Sequence, residues 1–221
     1  APRLRLHARR DNAVTIDPKR IEAALQPHYP STILRPGDVL YTVAVGLYSA
    51  LAAAQPAPMR AVTSVVLSSL DTLSQRVSVT YGPAIVLSPA AVADDVTHSA
   101  TLAHEFVHRS QVERAGIVQA TVDYLGSGEL RAQREADAAA AGLWMRYVLT
   151  GDLPDDAPTL SDLYHLDAGD SAMARQIIAA HLATIRAGVC PNLDVCIVLA
   201  RWFHAQDDIP ADVLARVAVV P

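Results

Sequence analysis

Lysine is all but absent from this chain. Lys19 is the only one in 221 residues, and 18 basic side chains stand against 23 acidic ones, for a net charge of −5. Basic residues this few and this scattered cannot build the positive stripe that phosphate neutralisation requires, so no nucleic-acid partner is expected, and an anionic membrane surface is disfavoured for the same reason. Cysteine is nearly as scarce. Cys190 and Cys196 do not amount to a disulfide framework. They leave one bridge open, across the short loop between them, and argue against a zinc knuckle, which needs a second pair of ligands. Long apolar runs are also missing. The longest uncharged stretch, Val39 to Met59, contains Thr42, Gly46 and Ser49 and is broken by Gln55-Pro56-Ala57-Pro58, the pattern of a buried core helix rather than a membrane span. Ala1-Pro2-Arg3-Leu4-Arg5 has no apolar run behind it, so no signal peptide is expected in this chain. A soluble protein follows, either cytoplasmic or delivered and secreted. No repeat period and no low-complexity tract beyond alanine enrichment is present.

What is there is the composition of an ordinary globular protein, 51% hydrophobic and 19% charged. A chain this long buries about 70% of its unfolded surface without help from metals or bridges, so a single domain over residues 1–221 is expected, and any metal in it serves chemistry. Asp17-Pro18 predicts a helix through Ile21 and Leu25. Asp38 predicts the cap of the apolar helix ending before Pro56. Val77, Val79 and Tyr81 alternate with polar residues, Gly82-Pro83 turns the chain and Ala84 to Leu87 continues as a short apolar strand, which together read as a small hairpin stopped by Ser88-Pro89. Beyond it the pattern is helical: from Thr97 or Ser99 to about Gly116, from Gly128 to about Thr150 behind a Ser127 cap, from Asp167 or Asp170 through Leu182, and from Val195 to Phe203. The fold class expected is α+β, mainly α-helical, with a small sheet or hairpin beside the third of these helices.

That helix contains His104-Glu105-Phe106-Val107-His108. Spacing of i, i+4 stacks the two imidazoles on one helix face, where both reach a single Zn²⁺, and Glu105 projects beside them as a general base for water. Leu102, Phe106 and Val107 mark the helix as buried, and two neighbouring histidines on a buried helix need partners. A third protein ligand would leave one position open. Gln111 and Arg114 stand where a His-x-x-Gly-x-x-His continuation would place a glycine and a third histidine, so the remaining common solution is a Glu on the following helix. Beyond Glu113 there are two, Glu129 and Glu135.

These residues resemble the zincin metallopeptidases of gluzincin type, over about residues 76–145. His104 to Gln111 is similar to the HExxHxxQ of small bacterial zincin domains, and Arg134-Glu135-Ala136-Asp137 resembles the Glu-Ala-Asp run that follows in such families. In the Glu-x-x-Ala-Asp form of that run the ligand position falls on Gln133. The resemblance, together with the small Ala138–Ala141 run that lets two helices approach, favours Glu135. Helical phase favours Glu129, which shares the side of Ala136, Ala140, Leu143 and Tyr147. Asp123 and Asp137 are further candidates, and Asp137 could instead accept from a ligand imidazole.

The expectation is therefore a zincin-like core over about residues 76–150 with helical N- and C-terminal extensions. Zn²⁺ would be held by His104, His108 and Glu135, and peptide bonds in a protein or peptide substrate would be hydrolysed by zinc-activated water with Glu105 as base. Oxyanion donors would come from Tyr124, Tyr147, Tyr164, His165 or His181, among which the sequence does not choose. The resemblance implies that Ala84 to Leu87 is an edge strand open to substrate, and it suggests carriage by a secretion or injection machine. The rival reading is a zincin fold that binds without cutting.

Overall fold

A computed structural model describes residues 16–38, 78–160, 164 and 166–217. The helix expected after Asp38 and the Val77 end of the first hairpin strand lie outside them. Helix α1 (Pro18–Leu25) begins where Asp17 Oδ1 accepts from the backbone N–H of Lys19, with Pro at N1. Ile21 and Leu25 bury its inner side.

Three short strands follow: β1 (Thr32–Leu34), β2 (Val79–Tyr81) and β3 (Ala84–Val86). Their order is β1-β3-β2, with β1 parallel and β2 antiparallel to β3. The hairpin is present, but the Ala84 to Leu87 segment is not an edge. β1 covers one side of it, and Leu87 N–H adds a further bond to Leu34 O. Among the described residues β1 and β2 are the edge strands, and β2 is the one that packs on the helix over 95–115. Thr80 is paired with Ile85, so both side chains point to the same face, and Ile85 is fully buried there.

The helical body is α2 (Asp95–Ala115), α3 (Ile117–Gly126), α4 (Gly128–Thr150), α5 (Ala168–Arg186), α6 (Asp194–His204) and α7 (Ala211–Arg216). The cap of α2 is Asp94, not Thr97 or Ser99: its carboxylate accepts from both the backbone N–H and the hydroxyl of Thr97. Gly116, at φ 79°, ends α2 and lets α3 start at once in a new direction. The α4 cap is Ser127, whose hydroxyl accepts from Leu130 N–H, and α4 ends at Gly151 in the left-handed region. Asp167 caps α5 through Asp170 N–H.

α4 is the central helix and is buried on two sides. Ala138, Ala141, Trp144 and Met145 face the main core with α2, α1, α6 and the sheet, whereas Ala132 and Ala136 face a second core with Leu160, Leu166, Ala174, Ile178 and Leu182. Cys190 and Cys196 are free, buried thiols, so the bridge left open by their spacing is not formed. Among the described residues no helix is long and apolar enough to cross a membrane.

Candidate metal centre

α2 and α4 run antiparallel in a register that steps by one helical turn. A Cβ on Gly142 would lie 3.2 Å from Ala100 O and 3.7 Å from His104 Cβ, so the backbones touch there because residue 142 has no side chain. One turn along, the backbone of Ala138 hydrogen-bonds the His104 ring. One turn further, Gln111 donates to Arg134 O at 3.3 Å and faces His108 Nδ1 at 3.1 Å. The alanine run between these rungs is what lets the helices lie this close.

In that register Glu135, 2% exposed, points at both imidazoles. His104 Nε2 and His108 Nε2 are 3.2 Å apart, and Glu135 Oε2 is 3.7 Å from the first and 3.4 Å from the second. Tetrahedral zinc with ligands at about 2.05 Å holds its donor atoms about 3.3 Å apart, so this triangle has the size such an ion imposes. The outer hydrogen bonds point the same way. The Arg134 carbonyl can only accept, so Gln111 turns its oxygen to His108 Nδ1, and the neutral ring keeps its lone pair at Nε2. The backbone of Ala138 also bonds the His104 ring. Tyr124 Oη donates to Glu135 Oε1 at 2.7 Å, while Oε2 is buried with no hydrogen-bond partner. With both rings neutral three lone pairs would converge on one point, and a buried acceptor left unpaired needs a cation or a proton. This buried His-His-Glu group could hold a metal ion, and among the described residues it is the one group of three or more such side chains so disposed.

Protonation fits the same geometry. Burial depresses His104 to about 4, helped by the neighbouring His108. Burial also opposes charge on His108, but Glu135 more than offsets it and lifts His108 to about 9. Glu135 is itself held below the usual carboxylate range: burial pushes it up, and His108, His104 and Tyr124 together bring it down. At neutral pH without metal the pair of imidazoles therefore shares one proton, held on His108 against Glu135.

Glu105 sits on α2 beside this group and is 2% exposed. Burial raises it to about 7, moderated by His108 and by the hydroxyl of Thr80, which lies 2.8 Å from Oε2 and 3.0 Å from the Glu105 carbonyl oxygen. Thr80 reaches it because the pairing with Ile85 turns that side chain toward α2. No local sequence signal marks Thr80, because strand pairing brings it to a residue 25 positions away.

The other candidates separate cleanly. Glu129 is exposed in the first turn of α4. Of the residues that share its helical phase, Ala136 and Leu143 pack in the second core and Tyr147 against the main one, so that phase does not mark the side turned to α2. Asp123 pairs with Arg134 at 2.7 Å, and Asp137 with His181 at 3.2 Å, so neither joins the triangle and Asp137 meets neither His104 nor His108. Gln111 is the side chain that faces His108 Nδ1. Gln133 is exposed. Of the tyrosines, Tyr124 touches Glu135, and burial beside Glu135 and Glu105 keeps the Tyr164 phenol protonated well above its ordinary range. His165 lies outside the described residues. Compared with protein-family models, curated proteins and solved structures, the chain matches none.

Proposed function

We propose that this chain is a zinc-dependent metallopeptidase of zincin type. The observation that carries the reading is the triangle of His104 Nε2, His108 Nε2 and Glu135 Oε2 beside a buried Glu105. Two neutral imidazoles and one carboxylate are the donor set of catalytic zinc, which keeps a position open. Bound there, zinc supplies Lewis acidity, lowering the pKa of water toward neutrality and polarising a carbonyl.

The chain's own residues do the rest. Thr80 occupies Glu105 Oε2 and fixes the carboxyl rotamer, leaving Oε1 to take a proton from the attacking water and return it to the departing amine. In the protein without metal, burial holds this carboxyl above the usual carboxylate range, which favours its taking up a proton. Glu105 and Glu135 are both buried, which strengthens each of these interactions. An extended substrate would pair with β2, the edge that carries Thr80, rather than with β3.

The test is hydrolysis of a fluorogenic peptide library by zinc-loaded protein, run beside Glu105→Gln. The expected result is cleavage by the wild type and a loss of about a hundredfold or more in the variant at unchanged zinc content. Cleavage retained at near wild-type rate in the variant would remove Glu105 from the mechanism; zinc-loaded wild type that cuts nothing would favour a zincin fold that binds without cutting.

A further inference from the structure

The three ligand side chains each have an outer hydrogen bond, but two differ in kind from the third. Ala138 meets His104 with its backbone, and Tyr124 meets Glu135 from a separate helix, α3. Gln111 alone uses both ends of one amide. Its oxygen faces His108 Nδ1 at 3.1 Å, and its nitrogen donates to the Arg134 carbonyl at 3.3 Å, on the residue immediately before Glu135. The same side chain therefore touches a ligand on α2 and the backbone that carries the ligand on α4.

Its orientation is forced. A carbonyl oxygen cannot donate, so the amide nitrogen must point to Arg134 and the oxygen to the ring. Reversing the amide would set oxygen against oxygen at one end and leave the other end without its acceptor. Arg134 is itself held: its guanidinium donates to Ala120 O at 2.7 Å and to Asp123 at 2.7 Å, both on α3. The carbonyl that Gln111 grips therefore belongs to a backbone fixed from two sides, and the nearby carboxylate at Asp137, the other candidate for orienting an imidazole, is engaged with His181.

We propose that Gln111 is the positioning residue of the metal centre, selecting the His108 tautomer whose Nε2 faces Glu135. This rests on the reading of His104, His108 and Glu135 as a metal site. Outer partners of ligand histidines typically change metal affinity by about ten- to a hundredfold.

The experiment is competition for Zn²⁺ against a chromophoric chelator, with the visible spectrum of the Co²⁺-loaded protein as a second readout, on wild type, Gln111→Met and Gln111→Glu. Methionine keeps the bulk and loses donor and acceptor; glutamate keeps the acceptor at His108 Nδ1 and loses the donor to Arg134. The expected result is a loss of about ten- to a hundredfold in zinc affinity for Gln111→Met, with altered cobalt bands, and affinity within about threefold of wild type for Gln111→Glu. Affinity unchanged in Gln111→Met, or an equal loss in both variants, overturns the tautomer role. Wild type that takes up neither ion overturns the metal site itself, and this proposal with it.

Discussion

Tyr124 Oη donates to Glu135 Oε1 at 2.7 Å, so the carboxylate presents only its second oxygen to His104 and His108. Tyr124 lies on α3, a helix whose inner side also supplies Ala120 O and Asp123 to Arg134. Burial and the neighbouring Glu135 hold the phenol protonated well above its ordinary range, so the donor is kept into alkaline pH. Tyr124→Phe removes the donor and leaves a buried carboxylate oxygen unpaired, which costs about 1–3 kcal/mol. The expected outcome is a lower melting temperature together with zinc affinity reduced by about tenfold or more, read by chelator competition. Wild-type affinity in this variant would show that Glu135 needs no help in presenting Oε2.

The helices that carry His104 and Glu135 approach closely at Gly142. The space a Cβ would take at Gly142 is bounded by Ala100 O and His104 Cβ. Gly142→Leu adds a good helix former, so any loss is steric and not a matter of propensity. Overpacking should destabilise the fold by about 1–3 kcal/mol and weaken zinc binding by displacing His104. Thermal melts with and without zinc check both effects; an undisturbed melting temperature would mean that the contact yields freely.

The third prediction is a pH dependence of the protein stripped of metal by a chelator. The folded state lifts His108 from 6.5 to about 9. A base held above its unfolded value contributes stability that is complete below pH 6.5 and lost as pH rises through 9, here ~3 kcal/mol. Glu105, raised from 4.5 to about 7, also loses stability with rising pH, in the window from 4.5 to 7. His104, lowered to about 4, acts oppositely and loses stability as pH falls from 6.5 through 4. Above pH 7 only His108 among the three titrates, so melting temperature should fall between pH 7 and 9. A flat profile there would contradict the shared proton. Zinc competes with that same proton, so loading at pH 7 should release it into weak buffer.

Local chemistry made much of this fold legible. The Ser127 cap and Gly151 bounded α4 correctly because both signals act within a turn of the helix end. The α2 cap reads late in the sequence because Thr97, itself a capping residue type, donates the bond that the Asp94 carboxylate accepts. α3 went unread because a glycine opens it and Val118, Val122 and Leu125 lie exposed on its outer side, inverting the usual pattern. β1 is three residues long, too short to show a period. The His104 and His108 pair was legible from i, i+4 spacing alone. Choosing Glu135 over Glu129 was not, because α4 is buried on two sides and apolar phase cannot say which side faces α2. Thr80 and Gln111 act through contacts to other elements, which no single helix or strand pattern encodes.

The most direct test of the account is the zinc content of wild type, Glu129→Ala and Glu135→Ala by elemental analysis after identical loading and desalting. One zinc per chain in wild type and Glu129→Ala, and none in Glu135→Ala, is the result predicted. Wild type that stays empty, or Glu135→Ala that keeps its zinc, would contradict it.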